Sequence, residues 1–149
     1  MDKRTTEHEL VTQAIAAAQA LGLDLELAAW EPPTGAKHAD SAIDLRAGKE
    51  RIRYLVEVRK GMRPATLGAV LLQLQELEQL GGPVMLVTDY VTPQLAEALK
   101  ERGVAFLDAA GNAYINAPPL LVWQKPQKDE RYRAKGSGSF LRSFADLIG

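Results

Sequence analysis

The 149-residue sequence contains no cysteine, which removes disulfides and thiolate metal sites and suits a reducing compartment. It also lacks any apolar run long enough to cross a bilayer, since a spanning helix needs about 20 such residues in succession. The N-terminal stretch MDKRTTEHEL has none of the apolar character that a secretory leader requires. A cytoplasmic protein without membrane association is therefore the expectation. A dominant charge sign is missing too: 18 Lys and Arg stand against 19 Asp and Glu, for a net charge of −1. No bulk field draws the chain to nucleic acid, so any such binding has to come from a local basic patch. Histidine occurs twice, as His8 and His38, far apart and without ligand-spaced company. What is present is ordinary for a globular domain, with 46% apolar and 25% charged residues. The length suffices for a buried core. One domain is expected over residues 1–124, followed over 125–149 by a polar linker and a short amphipathic segment.

Hydrophobic periodicity orders the chain. Residues 6–21 read as a helix, capped by Thr5 or Thr6, with Leu10, Ile15, Ala18 and Leu21 as a loose apolar stripe and Gly22 as the stop. Residues 23–27 alternate as a half-buried strand that runs on toward Trp30, and Pro32, Pro33 and Gly35 then mark a loop. Residues 39–47 and 51–59 alternate again around Gly48-Lys49, a two-residue turn. That turn places Asp44 opposite Arg53 and Asp40 opposite Glu57, all on one face of the hairpin. Pro64 opens a second helix that runs to Leu80, with Leu67, Val70, Leu71, Leu74 and Leu77 at helical spacing. A buried strand follows over 84–87, then a helix over 92–102 with Thr92 as cap and Pro93 at its first position. A strand over 104–107, a turn through Asp108, Gly111 and Asn112, and two closing strands over 113–116 and 120–124 complete the domain. The order predicts an α/β three-layer sandwich with a mixed sheet.

The charges on the central hairpin carry the chemical expectation. Asp44 in one strand, and Glu57-Val58-Arg59 in the next, resemble the PD-(D/E)XK, or restriction-endonuclease-like, superfamily. The segments YLVEVRKGMRPATLGAVLLQL, VMLVTDYVTPQLAEALKERGVAFLDAAGNAYI and PPLLVW are similar to bacterial antitoxins of the AbiEi class from type IV toxin–antitoxin systems. The run Phe106-Leu107-Asp108-x-x-Gly111-Asn112-x-Tyr114 is the most distinctive part of that resemblance. It implies a DNA-associated antitoxin or transcriptional-regulator domain, with DNA, a cognate toxin or a second copy of the chain as partner.

In active members of the superfamily, carboxylates hold Mg²⁺ through oxygen and a metal-bound water attacks the phosphodiester. The resemblance then makes Asp44 and Glu57 metal ligands, with Asp40 a competing candidate. Arg59 takes the lysine position of the triplet. Gln73 on the following helix, and Glu7 or Glu9 on the first, would add to the site. Arginine cannot be deprotonated, so its presence at position 59 points to a fold that has lost its chemistry; a Mg²⁺-dependent nuclease is the alternative, and a protein-interaction or dimerisation module a further one. Lys49, Arg51, Arg53, Lys60 and Arg63 are the candidate phosphate contacts on the hairpin. Lys125, Lys128, Arg131, Arg133 and Lys135 add basic charge in the tail.

Each of these features also has a plainer reading. Asp44 with Arg53, and Glu57 with Arg59, read equally as charge pairs on a solvated face. Asp108, Gly111 and Asn112 are residues that tight turns use for their own sake.

Overall fold

The structure, a computed structural model, describes residues 3–28 and 41–124. Asp40, Trp30, His38, the loop expected after Trp30 and the whole 125–149 segment lie outside the described residues. The chain order is α1 (Lys3–Ala20), β1 (Leu25–Ala28), β2 (Ser41–Ala47), β3 (Glu50–Arg59), α2 (Leu67–Glu78), β4 (Val84–Thr88), α3 (Pro93–Glu101), β5 (Ala105–Asp108), β6 (Ala113–Ala117) and β7 (Leu120–Gln124).

The strands among the described residues form one seven-stranded mixed sheet in which spatial order equals chain order. The first three strands pair antiparallel, β3, β4 and β5 run parallel, and β6 and β7 close the sheet antiparallel. The two parallel pairings need crossovers, and α2 and α3 supply them. The expected Gly48-Lys49 turn sets the hairpin register, with Asp44 opposite Arg53 and Ala47 opposite Glu50.

Helices cover both faces. On one, α1 lays Leu10, Val11, Ala14, Ile15 and Ala18 against the inward residues of the sheet, among them Ile43, Val56, Val87 and Ile115. Fully burying a Leu, Val or Ile of this kind stabilises by about 1.5–3 kcal/mol. On the other face, Val70 and Leu74 of α2 and Leu95, Ala96 and Leu99 of α3 enclose Leu86 and Phe106. The continuous apolar runs of β4 and β5 follow from that double cover. Thr92 caps α3 as its sequence predicts, accepting the Leu95 N–H at 3.3 Å.

Two helix boundaries differ from the sequence pattern. The first helix begins at Lys3, so Thr5 and Thr6 lie inside it rather than at its cap; Lys, Arg and Thr all tolerate a helix interior. Leu21 falls in the turn after the helix and is exposed. The second helix opens with a single 3-10 turn, Pro64–Thr66, before α2 proper. There the Thr66 hydroxyl accepts the Arg63 N–H at 3.2 Å and donates to the Arg63 carbonyl at 2.9 Å.

The sheet curls round α1 far enough for two distant hairpins to meet. Gly48, in the β2–β3 turn, has φ of +63°. A Cβ at this position would stand 3.0 Å from Cγ of Pro119, in the β6–β7 turn. Glycine is demanded here twice over, by the left-handed backbone and by the approach of the proline ring.

Candidate functional site

The carboxylates singled out by the sequence sit on the face of the sheet that bears α2 and α3, opposite to α1. Alternation along β2 and β3 turns Ile43, Leu45, Tyr54, Val56 and Val58 toward α1. Asp44, Arg53, Glu57 and Arg59 necessarily point the other way. Asp44 is 7% exposed and Glu57 8% exposed, and charges so enclosed require partners.

Each has an arginine. Arg53 makes a fork-to-fork contact with Asp44, Nε to Oδ1 at 2.8 Å and Nη2 to Oδ2 at 3.0 Å. The Arg53 guanidinium, through these hydrogen bonds above all, holds the Asp44 carboxyl below the usual range, against the upward push of burial. Arg59 Nη2 lies 2.8 Å from Glu57 Oε2, while its Nε is buried without a hydrogen-bond partner among the described residues.

Register decides whether the two carboxylates form one site. Asp44 pairs with Arg53, and Glu57 lies four positions further along the same strand, about 13 Å at 3.3 Å per residue. A shared Mg²⁺ or Ca²⁺ asks for oxygens within about 2.6 Å of a single point. The arrangement therefore gives two separate acid–arginine pairs. Asp40, the competing partner for Glu57, lies outside the described residues. Among the described residues no cluster of three His, Asp or Glu side chains is placed to hold a metal ion. Gln73 is half-buried on α2 and has no hydrogen bond to either carboxylate among the described residues. Glu7 and Glu9 belong to α1, which packs on the opposite face.

The hairpin cations fall into two groups. Lys49, Arg51 and Arg53 lie at its turn end, and Lys60 and Arg63 just past the far end of β3; all are exposed. Along β3, Lys60 lies about 23 Å from Arg53 and about 30 Å from Arg51, both well beyond the ~8–10 Å over which salt lets charges act together. Of the first group, Arg53 is taken by Asp44, and the neighbouring Arg46 is taken by Asp24 at 3.3 Å.

Two aspartates of the parallel strands' C-terminal edge do structural work that the spacing in the sequence only partly announces. Asp108 Oδ1 accepts the N–H groups of Ala110 and Asn112 at 3.0 and 2.8 Å, closing its own turn. Its Oδ2 accepts the Val91 N–H at 2.9 Å and the Asn112 side-chain amide at 2.8 Å. Burial pushes this carboxyl up, and the donors from Asn112, Val91 and Ala110 pull it back. Asp89 Oδ1 gathers the N–H groups of Gly61 and Tyr90 and the Thr88 hydroxyl. The loops after β3, β4 and β5 are thereby braced to one another. At the opposite edge, a groove of about 510 Å³ opens between α2 and the turn before β5, bordered by Leu71, Gln75, Glu78, Arg102, Val104 and Asn116. Its residues come from elements far apart in the chain and no local motif announces it.

No protein-family model, no curated protein and no solved structure matches this chain.

Proposed function

We propose that this chain is a DNA-associated domain of the antitoxin or transcriptional-regulator type, built on a restriction-endonuclease-like sheet that no longer hydrolyses phosphodiesters. The observation that carries this reading is the separate engagement of Asp44 by Arg53 and Glu57 by Arg59. A nuclease of this superfamily brings the corresponding carboxylates to one metal; here each is occupied by an arginine and the register holds them apart. The exposed cations at both ends of β3 are the phosphate contacts. The separation of Arg51 from Lys60, about 30 Å, is close to the ~34 Å of one duplex turn, so one molecule would touch a DNA backbone at two places. A cognate toxin or a second copy of the chain remains the alternative kind of partner, and a Mg²⁺-dependent nuclease the alternative activity.

Fluorescence anisotropy with labelled duplex DNA tests the reading, together with a cleavage assay in Mg²⁺ and Mn²⁺. Binding that weakens steeply with salt, and that falls in a Lys49→Ala/Arg51→Ala/Lys60→Ala/Arg63→Ala variant, is the expected result. Cleavage that disappears in Glu57→Ala would establish the nuclease instead. No binding to linear or branched DNA at low salt would leave the protein-partner reading in its place.

A further inference from the structure

Among the described residues, the sheet ends in a strand whose outer edge carries no partner strand. Among the described residues β7 pairs with β6 alone. Alternate backbone N–H and C=O groups of an antiparallel strand point to its two sides, so half of those in β7 face away from the sheet. Edge strands are ordinarily protected by charges, proline or a bulge. The sequence of β7, Leu-Leu-Val-Trp-Gln, carries none of these within the strand. Its pairing with β6 is continuous from Ala113–Gln124 to Ala117–Leu120, without a bulge. Leu121 is 68% exposed, the highest value among the large apolar side chains described. Trp123, beside it on the same face, is held in place by Tyr114, edge-on at 6.0 Å, and by Lys100, whose Nζ lies 4.7 Å from the ring centre.

From these features we infer that β7 is a dimerisation edge, pairing antiparallel with β7 of a second copy about a two-fold axis at Val122. The facing residues suit a second copy of the same strand. An isologous antiparallel pair sets each residue against its mirror in the strand. This puts Val122 opposite Val122, Leu121 opposite Trp123, and Leu120 opposite Gln124. Every facing pair is neutral, so the strand meets itself with no like-charge repulsion. Each exposed Leu121 gains the partner's fixed indole as its cover, and the two sheets become one continuous sheet. A single strand pair buries little area, which places the dimer at the weak, concentration-dependent end of specific association.

The absence of cysteine makes the test clean. Opposing Cα atoms in an antiparallel pair are about 4.5–5.5 Å apart, inside the ~4.4–6.8 Å range that a disulfide spans. Val122→Cys in the whole 149-residue chain is therefore expected to cross-link to dimer under mild oxidation. A Leu72→Cys control, exposed on α2, should form much less. Sedimentation of the unmodified protein should show reversible dimerisation across the micromolar range. Leu121→Asp, placed where the side chain is already exposed and the fold costs little, should weaken it about tenfold or more with unchanged circular dichroism. A protein that stays monomeric throughout overturns the inference. So does a dimer that survives Leu121→Asp while the Val122→Cys variant fails to cross-link. Hydrogen exchange that finds the outer amides of β7 protected in a monomer also overturns it, because the chain's own residues would then cover the edge.

Discussion

The Asp108 carboxylate accepts the backbone N–H of Val91 at 2.9 Å, joining the end of β5 to the loop that leads into α3. The same side chain closes the Asp108–Asn112 turn, so one buried acid fixes two loops at the C-terminal edge of the parallel strands. Asp108→Ala leaves the N–H groups of Val91 and Asn112 without their acceptor in a buried setting. A loss of at least about 2 kcal/mol in unfolding free energy is expected, read by urea denaturation. Asp108→Asn should recover part of it, because one oxygen remains to accept.

The Asp44–Arg53 pair predicts a pH dependence of definite sign. Asp44 titrates below the ordinary carboxylate range because Arg53 hydrogen-bonds its charged form. Its contribution to stability is present above the unfolded value and lost as pH falls through the lowered folded value. Asp44→Asn should therefore melt below the parent protein near neutral pH, and the gap should close under acid conditions. Thermal denaturation from neutrality to about pH 2 checks this. A gap that widens toward acid would mean the pair is not what stabilises this part of the hairpin.

Metal binding at Glu57 separates the two readings of function. With Glu57 engaged by Arg59 and about 13 Å along the strand from Asp44, calorimetric titration of Mg²⁺ or Mn²⁺ is expected to show no site that Glu57→Ala abolishes. Arg59→Lys is the informative companion. It puts lysine where the proposed nuclease reading expects one, and a metal site appearing only in that variant would show the arginine to be what holds the site closed.

Gly48→Val tests the meeting of the two hairpins. The substitution faces both the positive φ and the Pro119 ring. A penalty of about 1–3 kcal/mol is expected, in the range set by left-handed strain in a non-glycine residue. Pro119→Ala removes the ring contact alone. The strain at φ +63° remains in Gly48→Val/Pro119→Ala, so the double variant should recover only part of the loss.

Much of this fold is legible in the sequence because its signals are local. Alternation on either side of Gly48-Lys49 predicts the hairpin and the Asp44–Arg53 register. Thr92-Pro93 marks the start of α3, and Asp108 with Gly111 and Asn112 marks a turn. The N-terminal boundary departs from the pattern because Thr5 and Thr6, good caps, are also acceptable inside a helix. The relationships that cross the fold are not readable. Nothing near Asp108 in the sequence names Val91 as its partner, and nothing near Gly48 names Pro119. The candidate site is legible in its residues and not in its distances. The triplet Glu57-Val58-Arg59 looks the same whether its acid binds a metal or its own arginine.

The agreement between spatial and chain order in the sheet has a consequence for how the protein is made. Every strand is paired with the one emitted just before it. From β2 to β7, each closure therefore spans a short turn or one helix, at a modest entropic penalty. The sheet can grow as the chain leaves the ribosome, one rung per strand, with α1 as the early-made surface on which the rungs collect. The last rung described, β7, is then the growing end of that ladder.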